Sequence, residues 1–453
     1  AVVEGNTIND VSNGRHGIAV AATNAQIANN TIDGVTGGGD GIDVTAGNQT
    51  ITGNTIKNVD RGIGIDLNNN DNNTVQDNTI EQVGQHGIYL DGDNNTIKGN
   101  TLEKVALRAD AAAAARLFAG IRIGAGGAAT NNTIDGNTIK DIGSSNYAVG
   151  IHLTNAGSNN NRIINNVIQQ MLSVGDINMT AVGILIATGQ NNLVQGNEVS
   201  NSGNLQIGID VRTPNQGQIK ENKVEGMLWA GIYIRGGTVT NRIVVENNDL
   251  VNNFTGLRLS AGAAEITDNV VRGGHIALYV DQFGVAGQYP VENNCFMDAD
   301  ILAQNDGTGT LVAQENYWRP TPVAGTNIIG DIDFSDPLAT CPFVPTALSH
   351  TYGAVAGWYM VSLPAPGAAA DFGVTLYRWD PATQNYLIAT TVEPGKGYWA
   401  NLPASTTVTA TGTVPTSDIV VDISTAGWHQ ISAPWIYPKA EIRVIKGAEE
   451  KTW

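Results

Sequence analysis

Three residues one repeat apart, Tyr89, Arg122 and His152, have the types that proton transfer at a carboxylated substrate needs. A guanidinium such as Arg122 can neutralise the substrate carboxylate, an imidazole such as His152 can take a carbon-bound proton, and a phenol such as Tyr89 can protonate the leaving oxygen. A second set, Asp66, Asp91 and Asp93, offers the clustered carboxylates that hydrolysis would use. The turns that carry them, Asp66-Leu67-Asn68-Asn69-Asn70-Asp71 and Asp91-Gly92-Asp93, also present hard oxygen ligands. Ca²⁺ held by Asp66, Asp71, Asp91 and Asp93 is therefore the one cofactor expected as a possibility, although no full calcium-loop spacing is present. A Ser/His/Asp order, a phosphate-cradling loop, a Cys/His zinc spacing and a nucleotide fingerprint are all absent from the sequence.

What must position these residues is a repeat. Each of Tyr89, Arg122 and His152 follows a Gly-Ile dipeptide, as at Gly17-Ile18, Gly41-Ile42, Gly62-Ile63, Gly87-Ile88, Gly120-Ile121, Gly150-Ile151, Gly183-Ile184, Gly208-Ile209 and Gly231-Ile232, with Gly256-Leu257 as a variant. A variable residue and another aliphatic come next, the period-two alternation of a strand with one buried face. Between these strands runs a second pattern, seen at Asn95-Thr96-Ile97-Lys98-Gly99-Asn100-Thr101-Leu102, which predicts two more short strands separated by a bend. Such a unit cannot bury its apolar face alone and must stack on copies of itself. About eleven rungs at about 4.8 Å each make a rod on the order of 50 Å long. The recurrent Asn before Thr-Ile is expected to form a side-chain ladder at the bend, where left-handed backbone is needed, and to carry no chemistry.

The position after each Gly-Ile forms an outward column: Asp43, Gly64, Tyr89, Arg122, His152, Leu185, Asp210, Tyr233, Arg258 and Tyr279. Two residues on lies a second column, with Asp66, Asp91, Arg212, Arg235 and Asp281 among its members. A long sugar chain laid along this face would meet aromatic rings, carboxylates and guanidinium groups in turn. The expected ligand-binding set is Tyr89, Asp91, Arg122, His152, Asp210, Arg212, Tyr233, Arg235 and Arg258. Longer repeats insert material before the strands of Arg122, His152 and Leu185, including a segment expected to be helical, Ala111 to Phe118, that would wall one side of a groove.

These rungs resemble the right-handed parallel β-helix superfamily, which includes pectate-lyase-like enzymes, copper-site maturation proteins and many bacterial surface proteins. The resemblance covers residues 1–340 and implies an all-β fold, while the superfamily's lyase and epimerase motifs are not found here. Ala313-Gln314-Glu315-Asn316-Tyr317-Trp318 and Gly330 to Leu338 resemble the closing segment of secreted or surface β-helix proteins. They predict a cap over about 307–340, with Tyr317, Trp318 and Pro320 blunting the open strand edges. A linker is expected at 341–350. Residues 351–453 resemble a small β-rich module common near the C-terminus of secreted bacterial proteins, truncated here, with its Trp and Tyr as core before sugar platform. The chain also begins in mid-repeat at Ala1 and is read as part of something longer.

Charge and composition bound the function. With a net charge of −18 and no Lys/Arg cluster, the field repels a phosphate backbone, so nucleic acid is not an expected partner. No apolar run reaches the roughly 18 residues of a membrane span. Cys295 and Cys341 fall where the repeats decay, and a bridge between them would fasten the end of the coil and imply an oxidising compartment. The preferred function is therefore a non-catalytic extracellular or cell-surface scaffold whose partners are polysaccharide or neighbouring surface proteins. The alternatives are a polysaccharide lyase, epimerase or hydrolase working on the column face, and a homopolymeric filament or surface-layer subunit.

Overall fold

In the computed structural model the chain divides into two compact units, Ala1–Phe343 and Val344–Trp453. The structure describes residues 1–106, 118–144, 148–173, 181–201, 205–212 and 216–341 of the first. Of the second it describes 347–352, 357–361, 367–368, 374–380, 383–392, 397–402, 406–411, 443–446 and 449–452. The helix expected over Ala111 to Phe118 lies outside the described residues, except that Phe118 opens the strand Phe118–Ile123.

The first unit is a coil of three parallel sheets with 12, 13 and 13 strands. Each turn contributes one strand to each sheet, as with Thr96–Lys98, Thr101–Val105 and Phe118–Ile123. Alternation sends every second side chain inward, so like residues stack along the axis: Ile27, Ile51, Val75, Ile97, Ile134 and Ile163 form one such row, all fully buried. Each contributes about 1.5–3 kcal/mol by leaving water. There are more rungs than the Gly-Ile count suggests, because the last turns of the third sheet put Ala277 and Leu302-Ala303 where earlier turns have Gly-Ile.

The alignment at Gly62-Ile63 is two residues out. Ile65 pairs with Ile42 and Ile88, so Asp66, not Gly64, stands in the outward column between Asp43 and Tyr89. Gly64 belongs to a stack of glycines where the third sheet begins. A Cβ there would lie 2.5 Å from the Gly87 carbonyl oxygen and 2.7 Å from Ile80 Cγ2. A Cβ on Gly41 would meet the Gly64 oxygen in the same way, at 2.6 Å.

The bend between the first two sheets divides its two tasks between neighbours. Asn78, Asn100, Asn137 and Asn166 build the ladder, each donating its backbone N–H and side-chain N–H to the Oδ1 of the Asn one rung on. The left-handed backbone belongs instead to the residue before, at Asp77, Gly99, Gly136 and Asn165. The ladder runs from Asn6 to Asn316.

At the far end Trp318 is buried and stacks on Phe296 with ring centroids 4.7 Å apart, in the last strand of the second sheet, Tyr317–Arg319. It lies in the same core cluster as Ile328, with Ile332 and Phe334 packed against that cluster. Cys295 is joined to Cys341 with a Cα–Cα distance of 5.5 Å.

In the second unit, Gly357–Val361, Tyr398–Leu402, Leu376–Asp380 and Asn385–Ala389 form an antiparallel sheet in that order. Val361, Leu376, Tyr398 and Ala400 are buried, but Trp358 is exposed at 57%, contrary to its expected place in the core. It faces Tyr377 edge-on at 5.7 Å on the sheet surface.

Candidate functional site

The Gly-Ile-Xaa-aliphatic pattern turns the Xaa side chain away from the lumen, and one rung of spacing aligns these side chains into a ridge. Along the third sheet the ridge runs Asp43, Asp66, Tyr89, Arg122, His152, Leu185, Asp210, Tyr233, Arg258 and Tyr279. Its chemistry changes along the axis, acidic first and cationic and aromatic later.

At the acidic end, burial raises the Asp66 carboxyl to about 7, helped by the charges of Asp40, Asp43 and Asp91 and opposed by the Asn68 N–H, which donates to its Oδ1 at 2.8 Å. Asp40 is likewise raised, again by burial first, against an Ile63 N–H that donates to it at 2.7 Å. His16 Nδ1 lies 3.1 Å from Asp40 Oδ2, and its Nε2 lies 3.9 Å from Asp43 Oδ2. Among the described residues, His16, Asp40 and Asp43 are the one set of three whose ligand atoms all lie within 4.8 Å of one another. The acids expected to share Ca²⁺ do not gather. Asp71 accepts the Asp93 N–H at 2.7 Å and Asp93 accepts the Thr130 N–H at 2.7 Å, so both tie successive turns together. Sequence reading passed over His16, Asp40 and Asp43 as a group because they come from two rungs. The signal for them was their place within two residues of the stacked glycines Gly17 and Gly41.

Tyr89, Arg122 and His152 do stand on consecutive rungs. The Tyr89 hydroxyl donates to Asp91 Oδ2 at 2.5 Å, and the Gly126 N–H donates to the same oxygen at 2.9 Å. Burial, and then that bond to Asp91, raise the phenol far above its ordinary value. Burial lowers Arg122, whose Nη1 lies 3.4 Å from the buried His86 ring. His152 is 2% exposed, and burial followed by the charges of Arg122 and Arg212 lowers it to about 3. It is neutral at ordinary pH but a weak base sealed from solvent, so it does not suit the proton abstraction expected of it. The reason is tertiary: around it the outer face carries a second apolar cluster, with Val149, Val182, Leu185 and Ile207 all buried.

At the cationic end the expected ligand residues hold one another. Asp210, fully buried, takes Arg212 Nε at 2.9 Å and both Nε (3.1 Å) and Nη2 of Arg235. Asp281 accepts from Arg258 Nη2 at 3.2 Å and from the Tyr233 hydroxyl at 3.3 Å. The Arg258 guanidinium carbon lies 4.7 Å from the Trp229 ring centre, 5.0 Å from Tyr279 and 5.2 Å from Tyr233. Trp229 was missed because it precedes the Gly-Ile dipeptide and had no column to be read in.

A family described as a right handed beta helix region matches residues 1–168, 120–272 and 174–317. Among solved structures, the chain is similar to the catalytic domain of a GH87 alpha-1,3-glucanase in complex with nigerose, at 16% identity and a TM-score of 0.43, over 68% of this chain and 60% of that one. It is also similar to the Dettilon tailspike protein gp208, at 14% identity and a TM-score of 0.40, over 89% of this chain and 74% of that one. A third is the tailspike protein of E. coli bacteriophage HK620 in complex with pentasaccharide, at 12% identity and a TM-score of 0.34, over 85% and 74% of the two chains. The chain thus spans about 60% of the length of the glucanase domain it matches. No curated protein matches the sequence.

Proposed function

This chain belongs to the right-handed β-helix family, and from that premise we propose that it is an extracellular or surface-displayed protein that holds a glycan along the outward ridge of its third sheet. One observation carries this reading: the third sheet's outward face gathers ionisable groups whose ionisation burial perturbs, Asp66, Tyr89 and Arg122, with Asp40 in the turn just before the sheet. Structure that serves only to stack rungs has no need of them, and such clustering is characteristic of functional sites. The second sheet offers a contrast, since its outward Lys57 pairs with Glu81 and its outward Lys140 with Glu103 across rungs, as on an ordinary solvated surface. Tyr and Trp rings beside fixed hydrogen-bonding groups suit a ligand with an apolar ring face and a polar edge.

A second reading, hydrolysis of the bound glycan, is favoured by Asp66. A carboxyl half-protonated near neutrality, one rung from Asp43, has the form of a general acid beside a second carboxylate that activates water or attacks the sugar. The lyase arrangement of Tyr89, Arg122 and His152 is not carried forward, since His152 is sealed. The test is to incubate the chain with a panel of neutral and acidic polysaccharides, following retention on the polymer, new reducing ends and unsaturated ends, beside Asp66→Asn. Retention without cleavage supports the binding role alone. New reducing ends that come without unsaturated ends and disappear in Asp66→Asn establish hydrolysis. Failure to retain any polymer refutes the glycan reading.

A further inference from the structure

The cationic end of the ridge separates its charges by depth. The Asp210 and Asp281 side chains are 0% and 3% exposed, while Arg212, Arg235 and Arg258, which pair with them, are 32%, 30% and 18% exposed. Carboxylates form the floor and guanidinium groups the rim. Solvent meets the three guanidinium groups more than the two carboxylates beneath them, on a chain whose net charge is −18, while at the edge of the cluster the exposed Asp306 accepts the Tyr279 hydroxyl at 2.9 Å.

The rim is also rigid. Asp210 grips Arg235 through Nε and Nη2, and the Arg235 guanidinium carbon lies 4.4 Å over the Tyr233 ring. Arg258 is held among Trp229, Tyr233 and Tyr279. A guanidinium already fixed by ion pair and ring loses little freedom on binding, and its planar fork matches an oxyanion. Arg235 and Arg258 each carry five N–H donors, more than one carboxylate can use. The acidic end lies five rungs away, from Asp66 to Asp210, or about 24 Å along the axis. It repels any anionic residue, so the two ends together fix where along the ridge a charged residue can sit.

We propose that Arg212, Arg235 and Arg258 form a subsite for the anionic group of an acidic sugar, a carboxylate or a sulfate ester, and that the protein therefore selects acidic glycans. This rests on the glycan-binding reading above and adds the substrate class to it. The shared chemistry is an oxyanion carried on a sugar ring.

The experiment titrates the full chain by calorimetry with three oligosaccharides of equal length: an oligogalacturonate, a sulfated glucan oligomer and a neutral glucan oligomer. It is repeated at low and high salt and with Arg235→Gln, Arg258→Gln and the off-face control Lys57→Gln. At least one anionic oligomer is expected to bind about 10-fold or more tighter than the neutral one, with the gap closing as salt rises. Arg235→Gln and Arg258→Gln are each expected to weaken that ligand about 10-fold and the neutral one by clearly less, while Lys57→Gln alters neither. Preference for uronate or for sulfate names the oxyanion, and either supports the subsite. Neutral and anionic oligomers binding equally, or Lys57→Gln weakening the anionic ligand as much as Arg235→Gln, overturns the subsite and leaves the glycan reading standing. Binding of none of the three overturns both. The comparison on the unmodified chain decides the matter even if an Arg variant fails to fold.

Discussion

Replacing Asp66 with Asn removes a carboxyl that the fold holds at about 7, against about 3.9 for an unfolded Asp. A group with a raised folded pKa binds its proton more tightly folded than unfolded, so between about pH 4 and 7 the native state carries the extra proton. Stability therefore falls as pH rises through that window, and by pH 8 the whole penalty is present. Three units at 1.36 kcal/mol each set an upper bound of about 4 kcal/mol, and the partial exposure of Asp66 to solvent reduces this to about 2 kcal/mol. Asn keeps an Oδ1 to accept the Asn68 N–H and carries no charge beside Asp40, Asp43 and Asp91. Asp66→Asn is thus expected to be nearly as stable as the parent at pH 4 and about 2 kcal/mol more stable at pH 8. The assay is chemical denaturation of both chains across pH 4 to 8. Taking the difference between them cancels, to first order, the separate titration of Asp40. Parallel pH profiles for the two chains would refute the reasoning and leave Asp66 an ordinary ionised Asp, removing the basis for its acid role.

Three further outcomes follow from the coil. Asn137→Ala strips the ladder of an Oδ1 that accepts from Asn100 N and Nδ2, and of an Nδ2 that donates to the Ile97 carbonyl and Asn166 Oδ1, so unfolding should be easier by about 3–5 kcal/mol in a denaturant titration. In Gly150→Ala the new Cβ would lie 2.6 Å from the Gly183 carbonyl oxygen and 2.9 Å from Ile168 Cγ2, predicting a loss of at least about 1–3 kcal/mol, read as a lowered melting temperature, where an exposed Gly→Ala would show none. Opening the Cys295–Cys341 bridge, which spans 46 residues, should cost about 4 kcal/mol by loop-closure entropy, measured by denaturation with and without reductant beside the Cys295→Ser/Cys341→Ser double variant.

The coil was legible in the sequence because its determinants are local and repeated. Gly-Ile and Asn-Thr-Ile recur with an alternation that admits only short strands, and a unit too small to bury its own face must stack. Which residues form ladder and core could be read from one rung and applied to the rest. Register was another matter at Gly62-Ile63-Gly64-Ile65, where both dipeptides satisfy the pattern equally, and only the pairing of Ile65 with its neighbours above and below decides that Asp66 joins the ridge. The chemistry of the ridge was least legible. An outward position promises a side chain at the surface, yet His152 is sealed and neutral, because burial depends on what packs over the sheet from distant parts of the chain. Asp210, Arg212 and Arg235 were each visible as residues that could meet a ligand. That Asp210 sinks to the floor and turns two guanidinium groups into a fixed rim is set by cross-rung contacts over 25 residues of sequence, as between Asp210 and Arg235. The sequence by itself determined the scaffold and the residue types that line its face. Tertiary structure decided their depth and partners, and hence their charge, because solvation and ion pairing are properties of the assembled coil.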